Sequence, residues 1–389
     1  MTYAAGLLCH DADSHVVEDP GFYLDFADPQ TRGKMSDEWP GPMWKAQYES
    51  VRGESDQPAF VEKAESELME RKLFRAMGAF DRDDRRRALD LLGFSSQMVF
   101  DSFMRASLRD AEKGDDLDYL YGLAQTHNRA IVAFCSADRR LLPVGYLPMA
   151  DVQRSNEMAR EAIEMGCAAL QACADCPKDH SPAHIGFEPM WAQLAEAGVP
   201  LVYHLAGGRL PSEAFRNNGL PEEPAFHGGD GHLNSIDYVA VPHPLIETVT
   251  ALIVDGVLHR HPDLRIGMME FGGCWLPGWM QYLDSAMEAF RRSESRLRNL
   301  DLKLSEYVIR QIRCTIFGHE NLGWAIAQSS PDIFMFSSDY PHIEGGRNPM
   351  RRFNQSMDAS GIGKDARESF YRTNFEDFVG GRAPPTAGA

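Results

Sequence analysis

The sequence has no run of 18 apolar residues and no apolar segment behind a basic N-terminus. A membrane span needs about 20 such residues, and a signal peptide needs the shorter run, so neither is expected and the chain reads as cytoplasmic. No glycine-rich phosphate fingerprint follows the first predicted strand, which argues against a dinucleotide-binding fold. Cysteine is sparse and odd in number, seven in 389 residues. That excludes a disulfide framework and points to a reducing compartment. Cys173 and Cys176 form a C-x-x-C with no second pair, read here as chance. Basic residues are outnumbered, 39 against 57 acidic, for a net charge of -18. Neither nucleic acid nor an anionic membrane is expected as partner. An anionic substrate stays open, because local charge in a pocket decides that.

What the chain does have is hydrophobic content of 43%, ample for a large core. Short apolar runs alternate with helical spacing. Strands are predicted at Ser95 to Phe100, Leu141 to Leu147, Cys167 to Ala172, Val199 to His204, Leu264 to Met269, Cys314 to Phe317 and Ile333 to Asp339. Helices are predicted between them, as at Leu117 to Ala133, Val152 to Met165 and Leu276 to Arg292. Such alternation means parallel βαβ units. With a first strand near residue 8 the count is eight, the number of a (β/α)8 TIM barrel of the α/β class. One domain is expected over residues 1–379, with a helical insertion after strand 1 (27–66) and a long loop after strand 5 (206–237). That loop carries His227 and His232, either ligand-touching or simply surface. The run Arg82 to Arg87 reads as a solvated helix face. The Gly/Pro/Ala tail, 380–389, is expected to be disordered.

The first strand is the unusual one. Leu7-Leu8-Cys9-His10 runs straight into Asp11, Asp13 and His15. Period-2 alternation puts those three on one face. Burying two carboxylates there needs a cation or a hydrogen-bond network; a capping Asx-turn at Asp13-Ser14 is the plainer alternative. His204, Glu270 and Asp339 then end strands 5, 6 and 8. Strand C-termini of a barrel converge on its active-site face. Imidazole and carboxylate together make a divalent-metal set: Asp13, His15, His204 and Asp339, with Glu270 beside them. His259 and His261, at a helix end, read as structural. Tyr203, Phe271, Trp275 and Tyr340, with Trp39 and Trp44 in the insertion, suggest an aromatic or apolar small-molecule substrate.

These residues carry a resemblance. Asp11 to His15, Pro200 to His204, His243 through His261 to Pro277, and Ser337 to His342 resemble the amidohydrolase superfamily. The branch is the amidohydrolase-related one (amidohydrolase 2), which includes aminocarboxymuconate-semialdehyde decarboxylase-like and resorcylate-type decarboxylases. The resemblance places the strand-1 H-x-H on Asp13 and His15, so the first histidine is an aspartate here. It places the strand-5 metal histidine on His204 and the strand-8 aspartate on Asp339. The bridging lysine of strand 4 is absent, with Gln171 thereabouts. The catalytic strand-6 histidine of the decarboxylases is replaced by Glu270. His243 or His342 would then have to carry the proton. Glu270 itself is either a further ligand or a residue holding a ligand histidine in its tautomer.

The expectation is a hydrolase in which metal-activated water attacks an amide, ester or thioester, with Asp339 handling the proton. The alternative is a metal-dependent non-oxidative decarboxylase of an aromatic or unsaturated acid. A ligand-binding barrel without chemistry is third. Zinc is expected ahead of iron or manganese, and the resemblance implies a homodimer.

Overall fold

The computed structural model describes residues 2–205, 208–209, 211–215, 217–221 and 234–384. His227 and His232 lie outside these, as do residues 385–389. Eight parallel strands run in sequential order, β1 (His10–His15), β2 (Ser96–Phe100), β3 (Leu141–Tyr146), β4 (Ala169–Ala172), β5 (Leu201–His204), β6 (Ile266–Met269), β7 (Ile312–Thr315) and β8 (Phe334–Met335). The β8 end meets β1 again: Ala12 N–H donates to Phe336 O (2.9 Å), Asp339 N–H to Asp13 O (2.9 Å) and His15 N–H to Tyr340 O (2.8 Å). The sheet therefore curls into the (β/α)8 barrel that the alternation predicts.

Every strand residue is buried, since one face meets the barrel interior and the other the helices. The interior is filled by Ala12, Met98, Phe100, Leu142, Val144, Val202, Met269 and Met335. Phe375 and Phe378, from the helix Asn374–Val379, plug its lower end. Gly267 makes room there, because a Cβ would lie 2.7 Å from the Phe378 ring and 2.6 Å from Met269 Cε.

The insertion after β1 carries α1 (Pro29–Arg32), α2 (Pro42–Arg52) and α3 (Pro58–Ser66). Then come α4 (Arg82–Leu92) ahead of β2 and α5 (Met104–Lys113) behind it. No helix among the described residues is long and apolar enough to cross a membrane.

Four expectations need correction. Strand 1 begins only at His10. Leu7 and Leu8 are 41% and 46% exposed, so the polar stretch is itself the strand. The run Arg82 to Arg87 is exposed as expected except at Arg85, which is fully buried: it donates to His15 O (2.7 Å), Ser14 Oγ (2.8 Å) and Gln97 Oε1 (3.2 Å). The predicted tail is partly ordered, because Gly380–Arg382 form a 3-10 turn and Arg382 donates to Ala197 O (2.8 Å). Asp11, finally, does not share a face with Asp13 and His15. Between Asp11 and Ser14, β1 has one residue more than the β2 segment it pairs with, Gln97 to Val99. This bulge breaks the alternation. Asp11 turns outward to Gln97 (2.8 Å) and Ser338 (2.6 Å), while Asp13 and His15 turn to the barrel mouth.

Candidate metal centre

The bulge brings Asp13 Oδ1 to 3.3 Å from His15 Nε2 and 3.1 Å from His204 Nε2. Asp339 Oδ1 is 3.3 Å from the same His15 nitrogen. All four residues are buried. Donors held at about 2.1 Å around one ion lie about 3.0 to 3.4 Å apart in octahedral or tetrahedral geometry. These three contacts have the spacing of neighbouring donors in that shell; one donor atom from each of Asp13, His15, His204 and Glu270 lies within 4.8 Å of the others, whereas Asp339 groups with His15 and His342.

His15 fixes its own tautomer. Nδ1 lies 2.8 Å from the Asp101 carbonyl, which can only accept, so Nδ1 carries a proton. Nε2 then faces two carboxylates, a contact that needs positive charge there, supplied either by a second ring proton or by a metal ion. His15 Nε2 and both Asp339 oxygens have no hydrogen-bond partner although they are buried. A proton can stand in for the metal: burial opposes it, but Asp13 and Asp339 outweigh that and raise His15 to about 9. For Asp13 burial likewise works upward, yet His204 and His15 bring it below the usual range. Burial lifts Asp339 to about 6. A divalent ion fits these residues.

Glu270 ends β6 on the other side of His204, its Oε2 3.5 Å from Nδ1. Burial, then Asp339 and Asp13, hold its carboxyl well above the ordinary range. Glu270 and Asp339 also have positive φ, 61° and 50°. For residues with a Cβ this backbone costs energy and is commonest where a side chain must be aimed.

His342 joins the cluster. Its ring stacks on His15 at 3.8 Å, and its Nδ1 is 3.5 Å from Asp339 Oδ1. Ser102 Oγ spends its proton on Val16 O (2.8 Å) and therefore accepts from His342 Nε2 (2.7 Å). His243 does not join. Flanked by Pro242 and Pro244 at a helix start, it is exposed and lines an outer cleft with Arg209, Phe215 and Val239. His259 and His261 have the structural partners expected, Tyr307 (3.0 Å) and Glu188 (3.0 Å). Of the aromatics, Tyr203 and Tyr340 are fully buried, and the Tyr340 hydroxyl donates to Met77 O (2.6 Å). Trp39 and Trp44 pack on Phe103, beside Ser102.

Sequence reasoning misses Arg105 altogether. It is buried on α5, contacts His204 Nδ1 and donates to Leu205 O (3.0 Å) and Asp101 O (2.5 Å). A signal exists: Met104, Arg105, Leu108 and Glu112 follow helical spacing and are all buried. Lys72 is missed too. It donates to Gly346 O (2.7 Å) behind Asp339, and burial lowers it to about 8.

A family model described as amidohydrolase matches residues 78–380. No curated protein matches the sequence. Solved structures share the fold at low identity. An amidohydrolase from Mycobacterium avium subsp. paratuberculosis K-10 is 19% identical, with a TM-score of 0.72 over 96% of this chain and 100% of that one. A 5-carboxyvanillate decarboxylase from Novosphingobium aromaticivorans DSM 12444, complexed with manganese and 4-hydroxy-3-methoxy-5-nitrobenzoic acid, is 19% identical, with a TM-score of 0.59 over 96% of each chain. A 2,6-dihydroxybenzoate decarboxylase from Rhizobium is 17% identical, with a TM-score of 0.60 over 96% and 98%.

Proposed function

The chain belongs to the amidohydrolase family, and from that premise and its site geometry we propose that it is a metal-dependent, non-oxidative decarboxylase of an aromatic carboxylic acid. The observation that carries the metal is His15, with Nδ1 committed to a carbonyl and Nε2 facing two carboxylates. The choice of decarboxylation over the expected hydrolysis is supported by the two decarboxylases of like fold. Manganese is preferred to zinc because two of the four donors are carboxylates and one of those relatives holds manganese.

When bound, the ion supplies a positive site for a substrate carboxylate and an adjacent hydroxyl. Asp13, His15, His204 and Asp339 hold it. The bond between ring carbon and carboxylate breaks, carbon dioxide leaves, and the electron pair stays on the ring carbon until a proton arrives. His342 is the titratable group placed to relay that proton: burial, then the neighbouring His15, hold it neutral, so it takes a proton at Nδ1, beside Asp339, as it gives one up, with Ser102 orienting its ring. Phe103 with Trp39 and Trp44 offers an aromatic lip.

The test is turnover of hydroxy- and methoxybenzoates by the manganese-loaded protein in deuterated water. Carbon dioxide release with deuterium at the vacated ring position is expected. Hydrolysis remains a second reading, favoured by Glu270 standing where the resemblance expects histidine. Cleavage of an ester or amide with every carbon retained would replace the first reading by the second.

A further inference from the structure

The turn after β8 that carries His342 is gripped from outside the barrel. Within it His342 N–H donates to Asp339 O (2.7 Å) and Gly346 N–H to Ile343 O (3.0 Å), so the chain folds back on itself. Two neighbouring residues, where the insertion returns towards the barrel, hold this turn at both ends. Leu73 N–H donates to the carbonyl of Pro341 (2.9 Å), the residue before His342, and Lys72 Nζ donates to Gly346 O (2.7 Å) beyond it. Leu73 has a φ of 53°, left-handed backbone that a residue with a Cβ keeps only where its surroundings impose it, and its side chain is buried. A cleft of about 630 Å³ is lined by exposed Lys63 and Arg75 and by Lys72 and Ile343, so solvent reaches the clamp.

Resting on the decarboxylase reading above, in which His342 relays the proton, we propose that Lys72 is a positioning residue: from the insertion it holds, through Gly346, the turn that keeps the His342 ring in place. That ring has little room to move. It stacks on His15 at 3.8 Å while its Nε2 lies 2.7 Å from Ser102 Oγ. A displacement of about 1 Å at a reacting group can cost about a hundredfold in rate. An ammonium suits the task, since a hydrogen bond from a charged donor is roughly twice as strong as a neutral one. Burial opposes the Lys72 charge, while Asp339 and then Glu344 favour it. Arg71, its neighbour on the same cleft, is engaged elsewhere, with its guanidinium over the Phe60 ring (4.2 Å).

Lys72→Met keeps a stem of similar length and removes the donor. The first readout needs no turnover. The zinc-loaded protein, diamagnetic and labelled with nitrogen-15 histidine, is followed by NMR, with His342→Gln assigning the His342 signal. Exchange of the His342 Nε2 proton with solvent should be at least about tenfold faster in Lys72→Met and near native in Lys72→Arg, with metal content and melting temperature unchanged. The second readout is turnover of the benzoates by the manganese-loaded protein. In Lys72→Met kcat should fall about tenfold to a hundredfold with KM within about twofold, and in Lys72→Ala ethylammonium admitted by the cleft should restore part of the loss. Native exchange at His342 in Lys72→Met would overturn the clamp. So would a fall in kcat that comes only with lost metal or a lowered melting temperature and that ethylammonium does not relieve, because Lys72 would then merely support the fold. No turnover by the native protein, with the exchange result as expected, would overturn the decarboxylase reading and leave Lys72 as the residue that holds His342.

Discussion

Asp13 Oδ1 and His204 Nε2 stand 3.1 Å apart, joining the end of β1 to the end of β5 across the barrel mouth. Neither strand alone builds a site; the pair exists because the barrel closes. Asp13→Asn keeps the shape and removes the charge that faces both imidazoles. Metal content should fall at least about tenfold, the lower range seen even for outer-sphere partners. His243→Ala, on the outer cleft, should retain its metal. Full metal content in Asp13→Asn would remove β1 from the site.

Arg85 holds the bulge from behind. Its guanidinium satisfies His15 O and Ser14 Oγ on β1 and Gln97 on β2. Arg85→Ala leaves those buried acceptors without their donor and should cost about 3–5 kcal/mol in denaturant unfolding. A loss under about 1 kcal/mol would restore the reading of a solvated helix face.

The barrel was legible because seven of its strands are apolar runs at regular intervals, and because its site residues terminate strands. The first strand defeated the alternation argument. A bulge is one extra residue in a pairing, and pairing is not visible in one segment of sequence. Arg85 and Arg105 were lost for a related reason. A charged residue on a helix reads as exposed until the acceptors it meets are known, and those acceptors are backbone carbonyls and side chains on distant strands. His342 was legible beside Asp339 because the strand-8 turn is local, whereas His243 was misleading because its direction is set by the helix that Pro242 and Pro244 begin.

Glu18 clips the loop after β1 to the start of α5. Its carboxylate accepts N–H groups from Ser102 (2.9 Å), Phe103 (3.1 Å) and Met104 (3.2 Å) and the Tyr23 hydroxyl (3.0 Å). These are orphan donors of a helix N-terminus. Glu18→Ala strands them in a buried place and should cost about 3 kcal/mol or more. Because Ser102 orients His342, turnover should drop in the same variant under conditions where it is still folded. Native stability in Glu18→Ala would mean that water replaces the clip.

Glu112 supplies a pH dependence away from the metal centre. It accepts from Tyr146 Oη (2.7 Å) and Met149 N (2.6 Å), and burial raises its pKa. A raised carboxyl binds its proton more tightly folded than unfolded. Its stabilising contribution is therefore complete below the unfolded value of about 4.3 and is lost as pH rises through the folded one. Glu112→Gln cannot ionise, so urea unfolding should favour the variant increasingly, relative to native, as pH goes from 4 to 8. Parallel curves for the two proteins would show that Glu112 titrates normally.

Glu270 tests whether the site is held at the expense of the fold. Its φ of 61° is left-handed and its carboxyl is buried beside Asp339 and Asp13. Glu270→Ala removes the carboxyl but keeps a Cβ in that backbone, while Glu270→Gly removes both. A left-handed residue with a Cβ is disfavoured by about 1–2 kcal/mol, partly offset by the extra freedom of glycine in the unfolded chain. Glu270→Gly should therefore be more stable than Glu270→Ala by about 1 kcal/mol in thermal or urea unfolding, with both inactive. Alanine as stable as glycine would mean that the backbone at the end of β6 is unstrained. Glycine above alanine would mean that the strand end is bent to aim a carboxyl at the barrel mouth, which packing alone does not require.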